Sequence, residues 1–392
     1  MIRRLGGLAM PLGSVVLAFV IGALIVGATG GNPFTAYAAL LCGGFGFICT
    51  SGENPALQIS NTILFVIPLI TTGVAVALPF RAGLFNIGAE GQLLVGSIAC
   101  TAIGVEFSSL PSPILLPMVL LGGMAAGALW AGVAGVLKAT VGAHEVVTTI
   151  MMNYIAQWFL RFLIIGGPLE VVHGTSKSFP IGQGARLATV LPNDNSLIIF
   201  GLPSSVFRVH TGLLIALVAA AVFAFLLWRT SLGYEIRAVG QSQKAARYAG
   251  VSVRRTIIVT MLIAGAFSGL AGAIEIAGVD HNLTDKYFTD TTGFDAIAVA
   301  LLGLGSAFGI VLAAVLFGAL HAGGSVMQAD ANISGNLVYV LQALILFSIA
   351  ANFVGAIRQQ IPGLRRPPPA RPAELPPAAP LMTEAAAPPA EA

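Results

Sequence analysis

The stretch Ile63-Leu64-Phe65-Val66-Ile67-Pro68-Leu69-Ile70-Thr71-Thr72-Gly73-Val74-Ala75-Val76-Ala77-Leu78-Pro79-Phe80 carries no charge, and Arg81-Ala82-Gly83-Leu84-Phe85-Asn86-Ile87-Gly88-Ala89-Glu90-Gly91-Gln92 follows it directly. The uncharged run over 58–80 reaches the roughly 20 residues that a helix needs to cross a bilayer. The segment after it is rich in glycine and holds a carboxylate. Glu90 costs on the order of 2–3 kcal/mol if it faces lipid. It must therefore point into protein or toward a water-filled path, and an intramembrane carboxylate is by default a functional candidate. Asn86 and Glu90 are four apart, which predicts a shared helical face. Two uses of that face stay open: lining a path, or hydrogen bonding to neighbouring helices.

The whole chain has the same character. Of its 392 residues, 56% are hydrophobic and only 9% charged, against about 25% charged in a soluble domain. Its 47 glycines exceed the usual share, and mean hydropathy is +0.90. This excludes a soluble globular protein, a disordered chain and a disulfide scaffold. The class predicted is an all-α polytopic membrane protein. Cys42, Cys49 and Cys100 lie in apolar context, form no metal-ligand spacing and no even-numbered framework, and are expected to be small residues packed among helices.

Spans are predicted near 10–30, 58–80, 84–105, 113–137, 146–166, 211–228, 256–279 and 336–356, about eight in all. The first is expected to be an uncleaved helix, since its apolar run exceeds that of a signal peptide. With the N-terminus in the cytoplasm, 14 of the 19 basic residues fall inside: Arg3, Arg4, Arg81, Lys138, six within 229–255 and four from Arg358 onward. Asp280, Asp285 and Asp290 fall outside. The apolar stretch 294–327, interrupted at Gly303-Leu304-Gly305-Ser306, must then return to the side it came from. It is predicted to be a broken or re-entrant helix pair inside the bundle, giving up to ten helices. Residues 1–357 thus form the transmembrane unit, with both termini cytoplasmic. Residues 358–392 are Pro/Ala-rich and predicted to be a disordered tail.

Three further features carry candidate chemistry. Gly293-Phe294-Asp295-Ala296 partly echoes the Gly83-Leu84-Phe85-Asn86 segment, and paired Gly-interrupted segments point to a transporter's central site. Glu145, Thr149, Asn153, Gln157 and Arg161 recur every four residues, so the first three or four form a polar stripe on an apolar helix. Lining a pathway and interhelical hydrogen bonding both account for it. The polar loop 229–255 contains Lys244–Tyr248, predicted to be a short amphipathic helix closed by Gly250, suited to docking on a soluble partner. Catalytic motifs fail: His144-Glu145-Val146-Val147-Thr148 lacks the second His of a zinc site, no GxxxxGK[ST] is present, and His321 near Ser325 makes no protease pattern.

Four motifs occur in order: Gly83–Gln92; His144-Glu145-Val146-Val147-Thr148-Thr149-Ile150-Met151-Met152-Asn153-Tyr154-Ile155; Arg237-Ala238-Val239-Gly240 with Ala245–Gly250; and Phe294–Gly303. Across roughly 55–350 the chain resembles permease subunits of bacterial ABC importers for branched-chain amino acids, ribose-type sugars and nucleosides. It is most similar to the nucleoside branch. The resemblance implies an inverted-repeat importer architecture in the cell (inner) membrane, and transport by alternating access without catalysis on this chain. It implies a cytoplasmic ABC ATPase carrying the ATP and Mg, a second related permease chain and an extracytoplasmic substrate-binding lipoprotein, with no nucleic acid, metal or cofactor on this chain. Phe85, Asn86, Glu90, Glu145, Thr149, Asn153 and Asp295 are the expected substrate-path residues. Arg237, Gly240, Lys244, Ala246, Arg247 and Gly250 are the expected ATPase-coupling residues. Relatives often place a charged, proline-bearing turn after the Ala-Leu-Leu-Gly run, and here Leu304-Gly305-Ser306-Ala307-Phe308-Gly309 stands in its place. Sugar or branched-chain amino acid permeases are the alternatives within the family. An ATP-independent secondary transporter with a carboxylate proton relay is the alternative outside it.

Overall fold

The computed structural model describes residues 2–49, 54–190, 198–199, 202–203, 207–288 and 291–350. The tail 358–392 lies outside these residues. The helices are α1 (Ile2–Ala28), α2 (Pro33–Phe45), α3 (Pro55–Arg81), α4 (Ala89–Glu106), α5 (Ser112–Val141), α6 (Glu145–Ile164), α7 (Gly212–Arg229), α8 (Ser231–Gln241), α9 (Gln243–Tyr248), α10 (Val253–Glu275), α11 (Thr292–Leu302), α12 (Ala307–Ala331) and α13 (Leu337–Ala350). A two-residue antiparallel pair joins Ile198–Ile199 to Leu202–Pro203. Among the described residues, 55–81, 112–141, 212–229, 253–280 and 307–331 are long and apolar enough to cross a membrane. The chain is a polytopic all-α membrane protein.

Helix α3 is the axis of the bundle. It is buried all round from Val66 to Pro79, as a helix without a polar face must be. Helices α4, α10, α11 and α12 pack on it. The largest helix contact is the antiparallel crossing of α5 on α10. There Gly123 and Gly127 face Gly265 and Gly269, and a Cβ at Gly269 would overlap the Gly123 carbonyl oxygen. Small residues let the backbones approach, and dispersion does the rest where lipid offers no hydrophobic drive.

Three sequence expectations need correction. First, α2 was not foreseen: its 13 residues are too few for a span. It starts as α3 does, with an Asn-Pro pair in which Asn32 or Asn54 accepts a hydrogen bond from a first-turn amide. Second, Cys42 and Cys49 form a disulfide, with Cα atoms 4.7 Å apart. The left-handed Gly46 (φ 71°) ends α2 and turns Cys49 back onto its last turn, a juxtaposition that spacing alone does not reveal. Cys100 is free and buried. Third, Asn86 and Glu90 share no helix face, because 82–88 is non-helical and α4 starts at Ala89. Gly83 adopts φ 72°, and Asn86 Oδ1 accepts from the Gly88 amide (3.0 Å) in a local turn.

The interrupted stretch 294–327 resolves into unequal halves. α11 has 11 residues, and α12 has 25. The turn between them, with Leu304 at φ 53° and Gly305 at φ 59°, lies beside Arg81. Arg81 Nη2 donates to Leu304 O (3.0 Å) and Gly305 O (2.9 Å). This uncharged turn is thus held by a charge from another helix. Ser306 Oγ accepts from Gly309 N (3.1 Å) and caps α12.

Candidate functional site

The polar residues of the Gly83–Gln92 segment and of α6 form one buried knot. Asn153 Oδ1 accepts from Gly91 N (2.8 Å), while its Nδ2 donates to Ile87 O (2.9 Å). Asn86 and Gln92 exchange amide bonds at 3.0 and 3.2 Å. Thr149 donates back to Glu145 O at 2.8 Å. Glu90 Oε2 accepts from Gly293 N at 2.6 Å. Asn86, Glu90, Thr149 and Asn153 are all buried to within 2%. The two Gly-rich segments that echo each other in sequence therefore touch, one carboxylate resting on the N-terminus of α11, where backbone amides favour a negative charge. Farther along α6, Gln157 is half-buried and Arg161 exposed. Glu145 pairs with Lys138 at 2.7 Å. Phe85 is exposed and packs on Phe80, ring centroids 4.8 Å apart.

Asp295 lies elsewhere, on the wall of an open cavity of about 470 Å³. The cavity lies between α3 (Asn61, Leu64, Phe65, Pro68, Leu69), the end of α10 (Glu275, Val279), the start of α11 (Thr292, Asp295), α12 (His321, Ala322, Ser325) and α13 (Tyr339), with Arg208 and Lys286 at the rim. His321 is its centre: Phe65 lies 5.0 Å from it, Tyr339 meets it edge-on at 5.6 Å, and Asp295 Oδ2 is 3.9 Å from Nδ1. At the rim, Lys286 pairs with Asp280 (2.6 Å) and Glu275 (3.4 Å), and Tyr287 donates to Asp280 at 2.7 Å. Ring faces and carboxylate, amide and hydroxyl groups thus converge on one space, the general form of a small-molecule site. Of the expected path residues, only Asp295 is on this wall. Asn61, Phe65, His321, Ser325 and Tyr339 were missed. A His-x₃-Ser pair on an apolar helix was a usable signal for two of them. Among the described residues, no cluster of His, Cys, Asp or Glu is arranged to hold a metal.

Beside the rim, His210 is buried between Gly212 and Gly278, its Nδ1 accepting from Gly212 N at 3.1 Å. Burial, with His281 and Arg208 nearby, pushes its pKa down to about 4. The connection over 169–187 lies across this end of the bundle through Ser178 N to Leu283 O, Ile181 N to His281 O and Leu187 N to Ala277 O.

At the opposite end, the loop 229–255 folds into α8 and α9, and Gly250 (φ 83°) ends the turn after α9. Lys244, Arg247, Gly250 and Tyr248 are exposed, while Ala246 is buried. Arg237 points the other way: it donates to Leu227 O at the end of α7 and lies 4.6 Å over Trp228. Gly240 rests on Arg81 and Ala82, where a Cβ would overlap the Arg81 carbonyl oxygen.

Comparison with known proteins fits this geometry. The chain is 40% identical over 353 residues to the guanosine ABC transporter permease protein NupP of Bacillus subtilis (strain 168), covering 90% of this chain and 96% of that one. It is 36% identical over 348 residues to the nucleoside ABC transporter permease protein NupB of Lactococcus lactis subsp. cremoris (strain MG1363), covering 88% and 91%. It is also 36% identical over 360 residues to the glucose ABC transporter permease protein TsgB13 of Haloferax volcanii, covering 91% and 90%. No solved structure matches. Residues 58–350 match the family described as branched-chain amino acid transport system / permease component, and the chain belongs to that family of ABC transporter permeases.

Proposed function

We propose that this chain is the membrane-spanning subunit of an ATP-driven importer that moves nucleosides by alternating access. The observation that carries the substrate class is the 40% identity, over nearly the whole of both chains, to a guanosine permease. The cavity suits such a cargo: Phe65, His321 and Tyr339 offer ring faces for a base, and Asn61, Asp295 and Ser325 offer partners for ribose hydroxyls. The 36% identity to a glucose permease favours a second reading, a sugar cargo. The knot of Asn86, Glu90, Thr149 and Asn153 fixes the frame around the path, and Glu145 and Phe85 flank it.

The cavity end is extracytoplasmic and the Arg81 end cytoplasmic, with both termini inside. Charge asymmetry supports this orientation. So does the Cys42–Cys49 disulfide, which lies beside the Pro55 end of α3, away from Arg81, because disulfides persist outside the cytoplasm. The surface of Lys244, Arg247 and Gly250 docks a cytoplasmic ABC ATPase, which carries the ATP and Mg. Arg237, Gly240 and Ala246 tie that surface to the bundle. A second permease chain completes the path, and an extracytoplasmic lipoprotein delivers the substrate.

The test is uptake of radiolabelled guanosine by cells with and without the gene, competed by adenosine, ribose and leucine. Loss of uptake on deletion, with competition by adenosine alone, is the expected result. Equal competition by ribose moves the assignment to sugars, and uptake that survives deletion refutes it.

A further inference from the structure

Arg81 makes a contact that its position does not require. A basic residue in the last turn of a helix ordinarily satisfies that helix's own terminal carbonyls. Arg81 instead donates to Leu304 O and Gly305 O, more than 220 residues away in sequence. These carbonyls belong to a turn of two left-handed residues that contains no charged group of its own. The turn closes the far end of α11, while at its near end Gly293 N donates to Glu90. Arg81 and Glu90 are the two ends of one connection, the non-helical link between α3 and α4. One link therefore holds α11 at both ends, across a helix of about 16 Å. The first turn of that helix carries Asp295, on the cavity wall. The other face of the link is covered by α8, with Gly240 against Arg81 and Ala82, and a Cβ added at Gly83 would just touch Gly240.

We propose that Arg81 is the positioning residue that makes α11 move with α8, so that a displacement at the cytoplasmic loop reaches Asp295 and the cavity wall. The proposal rests on the reading of α8 and α9 as the ATPase contact. Both charge-assisted bonds come from the one Nη2, whose two N–H groups are fixed in the guanidinium plane and reach two adjacent carbonyls. A lysine supplies the charge and enough donors without the fixed plane, and alanine supplies neither.

The experiment uses the full complex in proteoliposomes, with Arg81→Ala and Arg81→Lys, and reads basal ATP hydrolysis, guanosine uptake and its KM. The expected result for Arg81→Ala is unchanged basal hydrolysis and unchanged KM with uptake per ATP down about tenfold, the size of a lost coupling contact. Arg81→Lys recovers a large part of it. A second measurement needs no transport: spin labels at Gln241→Cys and Phe308→Cys, both exposed positions, report the separation of α8 from the α11–α12 turn. In the wild type that separation holds between the nucleotide-free and ATP-trapped states to within the roughly 1–2 Å of a packed-helix shift. In Arg81→Ala it changes on trapping. Wild-type uptake per ATP in Arg81→Ala overturns the proposal, and so does a wild-type label distance that changes on trapping. Loss of basal hydrolysis in both variants reduces Arg81 to a folding role and also overturns it. Absence of guanosine uptake by the wild type refutes the substrate reading instead, and the label distances still decide the role of Arg81.

Discussion

Substitution of Asn153 by leucine separates the two uses that a polar stripe on α6 could serve. The side chains share one branched shape and leucine is the larger, so the change removes two hydrogen bonds without opening a cavity. Gly91 N–H and Ile87 C=O are left without their partner. Neither can turn to its own helix: Gly91 lies in the first turn of α4, whose amides have no intrahelical acceptor, and Ile87 is in the non-helical link. Interhelical hydrogen bonds in membranes average about 0.6 kcal/mol because the displaced groups find other partners. A buried backbone group with no alternative costs about 1–3 kcal/mol. The second figure governs here, and two such groups give about 2–6 kcal/mol. At about 2–4 °C per kcal/mol, the detergent-solubilised protein should melt at least ~4 °C lower. Asn153→Asp keeps the acceptor for Gly91 but buries a carboxylate whose second oxygen faces Ile87 O, so its loss should be at least as large. The assay is thermal denaturation followed by size-exclusion of the purified chain, alongside the KM for uptake. An unchanged melting point together with a raised KM would refute the reasoning, since the side chain would then serve the substrate and not the frame.

Gly240→Trp forces α8 away from Arg81 and should abolish stimulation of ATP hydrolysis while membrane insertion is retained; unaltered uptake would count against the coupling role. His210 is held neutral, its pKa depressed to about 4 against about 6.5 in an unfolded chain. Its contribution is complete above about pH 6.5 and is lost as pH falls toward 4, up to about 3 kcal/mol. Melting points measured from pH 7 to pH 4 should drop less steeply in His210→Phe than in the wild type. Denatured, unreduced protein should take up one maleimide, at Cys100, and three after reduction; three before reduction would exclude the Cys42–Cys49 bond. His321→Ala removes the ring between Phe65 and Tyr339 and should raise the guanosine KM about fivefold or more, from 1–3 kcal/mol for a base–aromatic stack.

The all-α membrane class, most of the long apolar helices and the break within 294–327 are legible in the chain itself. They depend on hydropathy summed over about 20 residues and on the placement of charge, and both are local properties. The short helix α9 and its stop at Gly250 were equally readable, because glycines act within one turn, whereas α8 was not foreseen. What the sequence misplaced depends on contact between distant residues. Asn86 and Glu90 looked like one helix face until the turn at Gly83 separated them. Glu90 reaches Gly293, and Arg81 reaches Leu304 and Gly305, only because particular helices cross at particular points, while Cys42 meets Cys49 through the left-handed turn at Gly46. Those crossings are set by where small residues permit backbones to touch, as at Gly123 and Gly269. With 47 glycines in the chain, a linear reading cannot tell which ones meet. The cavity wall has the same origin: Asn61, Phe65, His321 and Tyr339 come from three helices, and no periodicity within any one of them records the space they share.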